Sequence, residues 1–224
     1  MKIKYLFIVF ISLFFVTNVS AQNIKGVLIF GGNLSQVDGD EIFGFKKWGF
    51  NVGAAAIMPL NEKQTINISV ETLFSQKGSY QKYPFAYDTT DYPYYNLNLN
   101  YLEVPILFQY TDKKVITFES GFSWGRLVSL KEIEHGSDLN WSKQQWPYSR
   151  EDWNLVAGLR FRIHNKWHLN VRYAYSFKKI RTRSYTDEIG QQWTRNQYNN
   201  VITLRLYYIL NDSYKSPKRN KEKD

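Results

Sequence analysis

The connections between the alternating segments of this chain follow a rhythm of long and short. About eight segments alternate apolar with polar residues after an N-terminal apolar run. The long connections are residues 36–47, 79–96, 130–151 and 179–196, and the short ones are residues 61–64, 112–114 and 164–166. An up-and-down β-barrel of an outer membrane has this asymmetry, with tight periplasmic turns and long extracellular loops. The rhythm therefore predicts an all-β fold, an eight-stranded antiparallel up-and-down transmembrane β-barrel of small size.

The N-terminus has the three-part layout of a secretory signal. Lys2 and Lys4 precede the apolar run of residues 5–16, and the small residues Val19-Ser20-Ala21 follow it. The apolar run is shorter than the roughly 20 residues that a spanning helix requires. We therefore expect a signal peptide over residues 1–21, cleaved after Ala21, and export to the outer membrane.

The remaining sequence is expected to form one barrel domain, residues 22–210, followed by a charged periplasmic tail. The tail, residues 211–224, has the composition of a disordered segment. The chain has no cysteine, which excludes disulfides and cysteine-ligated metals. Its formal net charge is +9. Because the chain is exported, we expect no nucleic-acid partner and assign the basic excess to contact with anionic lipid and lipopolysaccharide.

Each predicted strand has one apolar and one polar face, and the polar faces share an unusual pattern. On six strands a lone ionisable residue stands at mid-length among small residues. These residues are Glu71, Glu103, Glu119, Arg160, Arg172 and Arg205. Alternation alone does not say which face points inward, but a solvated face would carry many scattered charges. Since buried charges require partners, we interpret the six as an ion-pair cluster that fills the lumen, with a structural role and no catalytic, cofactor-binding or metal-binding one.

Two positions indicate local irregularity. Pro105 lies in mid-strand, where its missing N–H predicts a bulge because a closed barrel has no edge strand to place it on. The first strand is the least regular, and we place Leu28 and Phe30 on its outer face. Its glycines, among them Gly31, predict either a bulge or the close approach of other side chains.

Four motifs stand in the order and spacing of a known family. They are Asn33-Leu34-Ser35-Gln36, Phe74-Ser75-Gln76-Lys77-Gly78, Asn100-Tyr101-Leu102-Glu103-Val104-Pro105 and Gly121-Phe122-Ser123-Trp124-Gly125. With them the chain resembles the PorT-like outer-membrane β-barrel family of Gram-negative bacteria. The resemblance implies an eight-stranded barrel that the barrel assembly machinery inserts from the periplasm. The namesake is tied to type IX protein secretion, whereas most members have no assigned activity.

Few residues suggest chemistry. Residues 134–138, which include His135, Ser137 and Asp138, contain the residue types of a catalytic triad. Consecutive loop residues rarely adopt a triad geometry, so we expect a solvated loop. The second long connection is rich in tyrosine, which suits either recognition of proteins and sugars or packing between loops. The tyrosines are Tyr80, Tyr83, Tyr87, Tyr92, Tyr94 and Tyr95.

The sequence therefore predicts a non-enzymatic outer-membrane barrel with a filled lumen. We expect it to act as a membrane anchor or loop-display scaffold, accessory to a secretion or surface complex, with protein partners on its long extracellular loops and no cofactor. The alternatives are a narrow pore, an outer-membrane lipid-modifying enzyme and a soluble ligand-binding barrel. Substitution of Glu103 by glutamine is expected to leave an arginine poorly paired and so to lower stability.

Overall fold

The computed structural model describes residues 24–82, 94–134, 137–186 and 189–212. The predicted signal peptide and residues 213–224 of the predicted tail lie outside these ranges. The strands are β1 (Lys25–Asp38), β2 (Lys47–Pro59), β3 (Ile66–Lys82), β4 (Tyr94–Asp112), β5 (Ile116–Glu134), β6 (Ser137–Asp138), β7 (Glu151–His164), β8 (Trp167–Ser176), β9 (Arg181–Thr186) and β10 (Gln192–Ile209). None of the described residues belongs to a helix that is long and apolar enough to cross a membrane.

Eight of the strands close into a ring. Their order around the ring is β1-β2-β3-β4-β5-β7-β8-β10, and antiparallel pairing of β10 with β1 closes it. The short strand β6 pairs with the end of β5, and β9 pairs with the first part of β10. Closure gives each of these eight strands a neighbour on both sides, so the ring has no edge strand. The predicted eight-stranded antiparallel up-and-down barrel is confirmed.

The strands extend farther into the predicted long connections than alternation indicates. Strand β3 continues to Lys82 and β4 begins at Tyr94, within the predicted connection of residues 79–96. The predicted connection of residues 179–196 contains β9 and the start of β10, which form a hairpin. Apolar alternation ends where the outer face becomes polar, whereas backbone pairing continues beyond that point. The barrel wall is therefore taller at this end, which we call the long-loop end.

The opposite, short-turn end is built from tight hairpins. At the β4–β5 turn, Lys113 and Lys114 have φ values of 45° and 58°, and the Val115 N–H donates to the Asp112 carbonyl at 2.9 Å. Positive φ at both central residues is characteristic of a type I′ turn, whose twist matches that of the flanking strands. The three short connections of the sequence are thus confirmed as turns on one end of the barrel.

The predicted bulge at Pro105 is wrong. Pro105 pairs in register with Ser123 of β5, and the bulge between these strands lies instead between Asn100 and Tyr101. Against β3 the register is the same on both sides of Pro105, although pairing is interrupted there. Strand β4 accommodates the missing N–H of Pro105 without an extra residue. Only its ladder hydrogen bonds to β3 are interrupted there.

Gly31 of β1 marks a close approach rather than a bulge. The register of β1 with both of its neighbours is regular. A Cβ at Gly31 would lie 2.3 Å from the Leu204 carbonyl oxygen and 2.7 Å from the Arg205 Cα. Glycine therefore gives β10 room to bring Arg205 into the lumen.

Apolar side chains cover the outside of the barrel and polar ones fill most of the inside. On β1, Leu28 and Phe30 are exposed outward as predicted, while Val27 and Ile29 are buried. At the short-turn end the rings of Trp167 and Tyr208 lie outside, 4.9 Å apart between centroids. One wall of the lumen is apolar, a feature that alternation did not indicate. Its residues are Val27, Ile29, Ala55, Ile57, Leu73, Tyr207 and Ile209.

Candidate functional site

Four of the six predicted lumen charges meet at the centre of the barrel. They are Glu71 on β3, Glu119 on β5, Arg172 on β8 and Arg205 on β10, and we call them the central cluster. Arg172 donates from Nη1 and Nη2 to the two carboxylate oxygens of Glu71 at 2.8 Å each, and from Nη2 to Glu119 Oε1 at 2.7 Å. Arg205 Nη1 lies 3.3 Å from Glu71 Oε2. Two carboxylates and two guanidinium groups therefore balance each other across the lumen.

Neutral side chains complete the hydrogen bonds of the central cluster. The Tyr207 hydroxyl donates to Glu71 Oε1 at 2.8 Å and accepts from Arg205 Nη2 at 2.9 Å. The Asn170 amide donates to Glu119 Oε1 at 3.0 Å, and its oxygen accepts from Arg205 Nη2 at 2.7 Å. Buried ions are tolerated when each has such partners, so the network is built for rigidity.

The fifth predicted charge, Glu103, belongs to a separate group nearer the long-loop end. Its Oε1 lies 2.5 Å from Lys77 Nζ, which also lies 2.9 Å from Asp152 Oδ2. The Asp152 carboxylate accepts further hydrogen bonds from Ser176 Oγ at 2.5 Å and Asn199 Nδ2 at 2.8 Å. The expectation that Glu103 pairs with an arginine is wrong, because its partner is Lys77 of β3. We call Lys77, Glu103 and Asp152 the upper group.

The sixth predicted charge, Arg160, lies toward the short-turn end, apart from the glutamates. Its Nη2 donates to Gln109 Oε1 at 3.2 Å. Its guanidinium carbon lies 5.4 Å from the centroid of the Tyr207 ring, and that of Arg205 lies 5.2 Å from the same ring. Tyr207 therefore links Arg160 to the central cluster without an ion pair. The structure thus brings together four of the six predicted residues and places Glu103 and Arg160 in separate layers.

Sequence reasoning missed several members of these layers for an identifiable reason. Lys77 and Asp152 lie on the inward faces of their strands, but near the ends of the segments that alternation indicated. Tyr207, Asn170 and Gln109 stand on the same polar faces as the predicted charges. Lys77 and Asp152 would have been found if each polar face had been followed for one or two more alternate residues toward the long-loop end. Nothing in the spacing indicates which charge pairs with which.

An apolar cluster fills the barrel interior at the long-loop end. Its buried members are Val37, Tyr95, Leu97, Leu99, Tyr101, Leu127, Tyr148 and Ile180. Tyr148 comes from the connection between β6 and β7, so this connection packs over the lumen. Above it Glu132 accepts hydrogen bonds from the hydroxyls of Tyr95 and Tyr148, both at 3.1 Å, and from Arg181 Nη1 at 2.9 Å. The lumen is therefore filled by charged groups in the middle and by apolar side chains at this end.

The tyrosine-rich connection is only partly described. Tyr95 is buried in the apolar cluster, which supports packing for this residue. Tyr80 lies in β3 and Tyr94 begins β4. Tyr83, Tyr87 and Tyr92 lie outside the described residues.

The predicted loop of residues 134–138 offers no triad among its described members. Ser137 and Asp138 form the short strand β6, where successive side chains point to opposite faces. Asp138 Oδ2 lies 3.2 Å from Lys131 Nζ, and both residues are exposed. His135 lies outside the described residues. No group of three or more metal-ligating side chains occurs within the described ranges.

Comparison with known proteins places these features in a family. Residues 16–181 match the family described as outer membrane protein beta-barrel domain. No curated protein matches the chain. Among solved structures it is similar to Ail, the attachment invasion locus protein of Yersinia pestis, with 15% identity, coverage of 83% of this chain and 98% of that one, and a TM-score of 0.48.

Two further structures are similar at lower scores. Neisserial surface protein A is 12% identical, with 82% of this chain and 96% of that chain covered and a TM-score of 0.42. The outer membrane protein OprG from Pseudomonas aeruginosa is 9% identical, with 84% and 95% covered and a TM-score of 0.42. These likenesses concern the fold alone. By the family match, the chain belongs to the outer membrane protein β-barrel domain family and is a protein of the outer membrane.

Proposed function

We propose that the protein is a non-enzymatic anchor whose closed barrel displays structured loops at the cell surface. The observation that carries the proposal is the filled lumen. The central cluster crosses the barrel at mid-height, where Glu71 and Arg205 are 0% and 1% exposed. An eight-stranded barrel is only wide enough for side chains to fill its interior. A rigid plug of paired ions and an apolar seal above it suit anchoring rather than transport.

The long-loop end supports the display part of the proposal. By the usual orientation of such barrels this end is extracellular. It carries the β9–β10 hairpin, on which the rings of Tyr185 and Trp193 stack at 6.0 Å. Phe43 and Ile189 are 82% and 87% exposed there. Such side chains offer apolar area for contact with a protein partner.

Electrical recording tests the closed lumen. The purified protein, refolded and inserted into planar lipid bilayers, is expected to give no stepwise conductance at moderate voltage. The central cluster and the apolar cluster at the long-loop end must both open before ions can pass. An established porin inserted in the same bilayers is the control for detection. Regular single-channel steps from the folded protein would instead establish the narrow pore and overturn the anchor proposal.

Protease accessibility in whole cells tests the display part. A specific protease site inserted between Gly190 and Gln191, in the β9–β10 connection, is expected to be cut by externally added protease. The matched control carries the same site between Lys113 and Lys114, in a short turn, and is expected to be cut only after the outer membrane is opened. Cleavage of the short-turn site alone in intact cells would show that the barrel has the opposite orientation, and it would contradict display of the long loops at the cell surface.

We also propose that the chain is a PorT-like member of the family and an accessory to a secretion or surface complex. In support, residues of the motifs that carry the resemblance contact one another in the lumen. Asn33 Nδ2 donates to Ser75 Oγ at 3.0 Å, and Lys77 pairs with Glu103. Deletion of the gene followed by quantification of secreted and surface proteins tests the accessory role, and an unchanged profile would contradict it.

A further inference from the structure

A basic cavity opens at the short-turn end of the lumen, below the central cluster. It has a volume of about 270 Å³. Its charged wall residues are Lys25, Lys114, Arg160, Arg162, His168 and Asp212. Counting His168 as neutral, four cations face one carboxylate. The central cluster is balanced and the upper group has an excess of carboxylates, so the lumen concentrates its positive charge at this end.

Arg160 is the buried anchor of this cavity. It is 4% exposed, yet among the described residues its Nε and Nη1 have no hydrogen-bond partner. The Nε2 atom of His168, a residue 5% exposed, likewise has none there. Unsatisfied buried polar atoms are costly and rare. The two unsatisfied N–H groups of Arg160, a residue that lines a cavity of this size, indicate an occupant with acceptor atoms.

Asp212 satisfies only part of this charge. Its Oδ2 accepts a hydrogen bond from Arg162 Nη1 at 2.6 Å and lies 3.9 Å from His168 Nε2. Arg162 also donates from Nε to the Lys114 carbonyl at 2.8 Å. Asp212 therefore acts as an internal anion for Arg162, and its single negative charge cannot also balance Arg160, Lys25 and Lys114.

We propose that this cavity binds a phosphate group. A guanidinium with two unsatisfied nitrogens and two ammonium groups suit an anion with several oxygens and more than one negative charge, whereas a carboxylate has two oxygens and one charge. Polar neighbours such as Thr111, Thr117 and Asn67 line the same cavity and can bind further oxygens. In the orientation of the proposed function, on which this step rests, the short-turn end faces the periplasm, so the phosphate can belong either to a small soluble ester or to a phospholipid headgroup of the inner leaflet.

Calorimetric titration of the refolded full chain with inorganic phosphate tests the site. In maltoside micelles at low ionic strength, saturable binding is expected. Arg160→Gln is expected to weaken it by about tenfold or more, as expected for loss of a charge-assisted hydrogen bond. Lys114→Gln, in the exposed turn, is expected to weaken it less and leaves the buried network intact. Asp212→Asn is expected to strengthen binding, because it removes the competing carboxylate.

Arg150→Gln is the matched control, since it removes an arginine charge from the long-loop end. Its affinity for phosphate is expected to equal that of the unsubstituted protein. The absence of saturable binding by the unsubstituted protein, or equal binding by Arg160→Gln and Lys114→Gln, would overturn the site. Folding of each variant is checked by its heat-dependent shift on gels.

The same titration in nanodiscs of phosphatidylglycerol distinguishes the two sources. Binding of inorganic phosphate that persists in nanodiscs supports the site and assigns it to a soluble phosphate ester. Binding that occurs in micelles and is lost in nanodiscs supports it as well and assigns it to a lipid headgroup, which competes with inorganic phosphate for the same cations.

Discussion

Arg172 and Glu71 form a two-pronged ion pair across the lumen, in which both terminal nitrogens of the arginine lie 2.8 Å from the two carboxylate oxygens. The residues are 101 positions apart in sequence. Both are buried, so neither ion can regain water if its partner is lost. The pair therefore ties β8 to β3 across the lumen, although the two strands are not neighbours in the ring.

The first prediction concerns removal of the shared carboxylate. Glu71→Gln leaves Arg172 with Glu119 alone and deprives Arg205 of its nearest carboxylate, which lies 3.3 Å away. We expect a loss of about 3–5 kcal/mol in the free energy of unfolding, the usual cost of breaking a buried pair from one side. Urea unfolding of the protein in lipid vesicles, followed by tryptophan fluorescence, measures it.

Glu62→Gln is the control for this measurement. Glu62 lies in the exposed turn between β2 and β3, where a lost charge costs little. A Glu71→Gln protein as stable as the Glu62→Gln protein would mean that the cluster is hydrated and contributes nothing to stability.

The second prediction compares the loss of stability on removing a buried lysine with that on removing an exposed lysine at the same end of the barrel. Lys77→Met leaves Glu103 and Asp152 buried without their shared ammonium group, and we expect it to cost about 3–5 kcal/mol. Lys178→Met removes a lysine that is 53% exposed and 3.7 Å from Glu151, for which about 0–1 kcal/mol is expected. The same unfolding measurement compares the two.

A double substitution tests whether the cost comes from the unpaired carboxylates. Adding Glu103→Gln to Lys77→Met removes one of the two buried negative charges and should recover part of the lost stability. If the double variant is less stable than Lys77→Met alone, the lysine stabilises the barrel through its packing rather than its charge.

Much of this architecture could be predicted from the sequence, because a period of two and the lengths of the connections are local properties. The apolar outer face and the inward direction of Glu71 and Arg172 follow from alternation once the charges are assigned to the lumen. Strand ends could not be predicted, since pairing continues where the outer face turns polar. Alternation therefore places Lys77 at the end of a strand, whereas the strand continues to Lys82.

The partners of each charge could not be predicted for a different reason. The height of a residue in a barrel depends on the stagger between strands, and stagger is a property of the closed ring. Glu103 and Arg160 each stand at mid-length of their predicted strands, yet they lie in different layers. Alternation gives the face of a residue and leaves its height undetermined.

The third prediction concerns the close approach at Gly31. Gly31→Ala would place a Cβ 2.3 Å from the backbone oxygen of Leu204, so β1 and β10 must separate at the strand pair that closes the barrel. We expect a loss of about 1–3 kcal/mol, the typical cost of overpacking. Gly26→Ala in the same strand meets the end of the Leu210 side chain at 3.2 Å, which can move.

Refolding into vesicles, followed by the gel shift of folded barrels, compares these two glycine variants. The Gly26→Ala protein should refold like the unsubstituted chain, within about 0.5 kcal/mol. Equal behaviour of the two variants would mean that β10 can move away from β1 at no cost.

The fourth prediction concerns the seal at the long-loop end. Glu132 accepts hydrogen bonds from Tyr148 and Arg181, and also from Trp141 Nε1 at 2.8 Å. Glu132→Gln leaves Arg181 without its carboxylate and offers an amide donor to groups that themselves donate. We expect the connection of residues 139–150 to open and trypsin to cut more rapidly after Lys143, while the barrel remains folded.

Mass spectrometry of the tryptic fragments identifies the cut. Glu134→Gln is the matched control, because Glu134 pairs with Arg183 at 2.6 Å in a more exposed position. It should change the rate of cleavage much less. Equal rates for both variants would show that the seal depends on apolar packing alone.

The fifth prediction concerns pH and the buried carboxyl of Asp40, in the connection between β1 and β2. Burial raises the pKa of this group from an ordinary 3.8 to about 6, although its Oδ1 accepts a hydrogen bond from the Ile42 N–H at 2.9 Å. The folded state then holds a proton that the unfolded state has released between these two values. Stability is therefore lost as the pH rises from 3.8 to 6, by about 3 kcal/mol at most. Asp40→Asn keeps the acceptor and removes the charge, so the variant should be more stable than the unsubstituted protein at pH 7.5 and equally stable at pH 3.5.

Asp138 provides the contrast in sign. Hydrogen bonds from the Asn140 N–H and from Lys131 lower its pKa, and the group is exposed. Its charge therefore favours the folded state above the ordinary pKa, so Asp138→Asn should slightly destabilise the protein at pH 7.5 where Asp40→Asn stabilises it. Urea unfolding in vesicles at the two pH values measures both variants. If Asp40→Asn gave the same gain at pH 3.5 as at pH 7.5, packing of the amide rather than removal of a buried charge would be the cause.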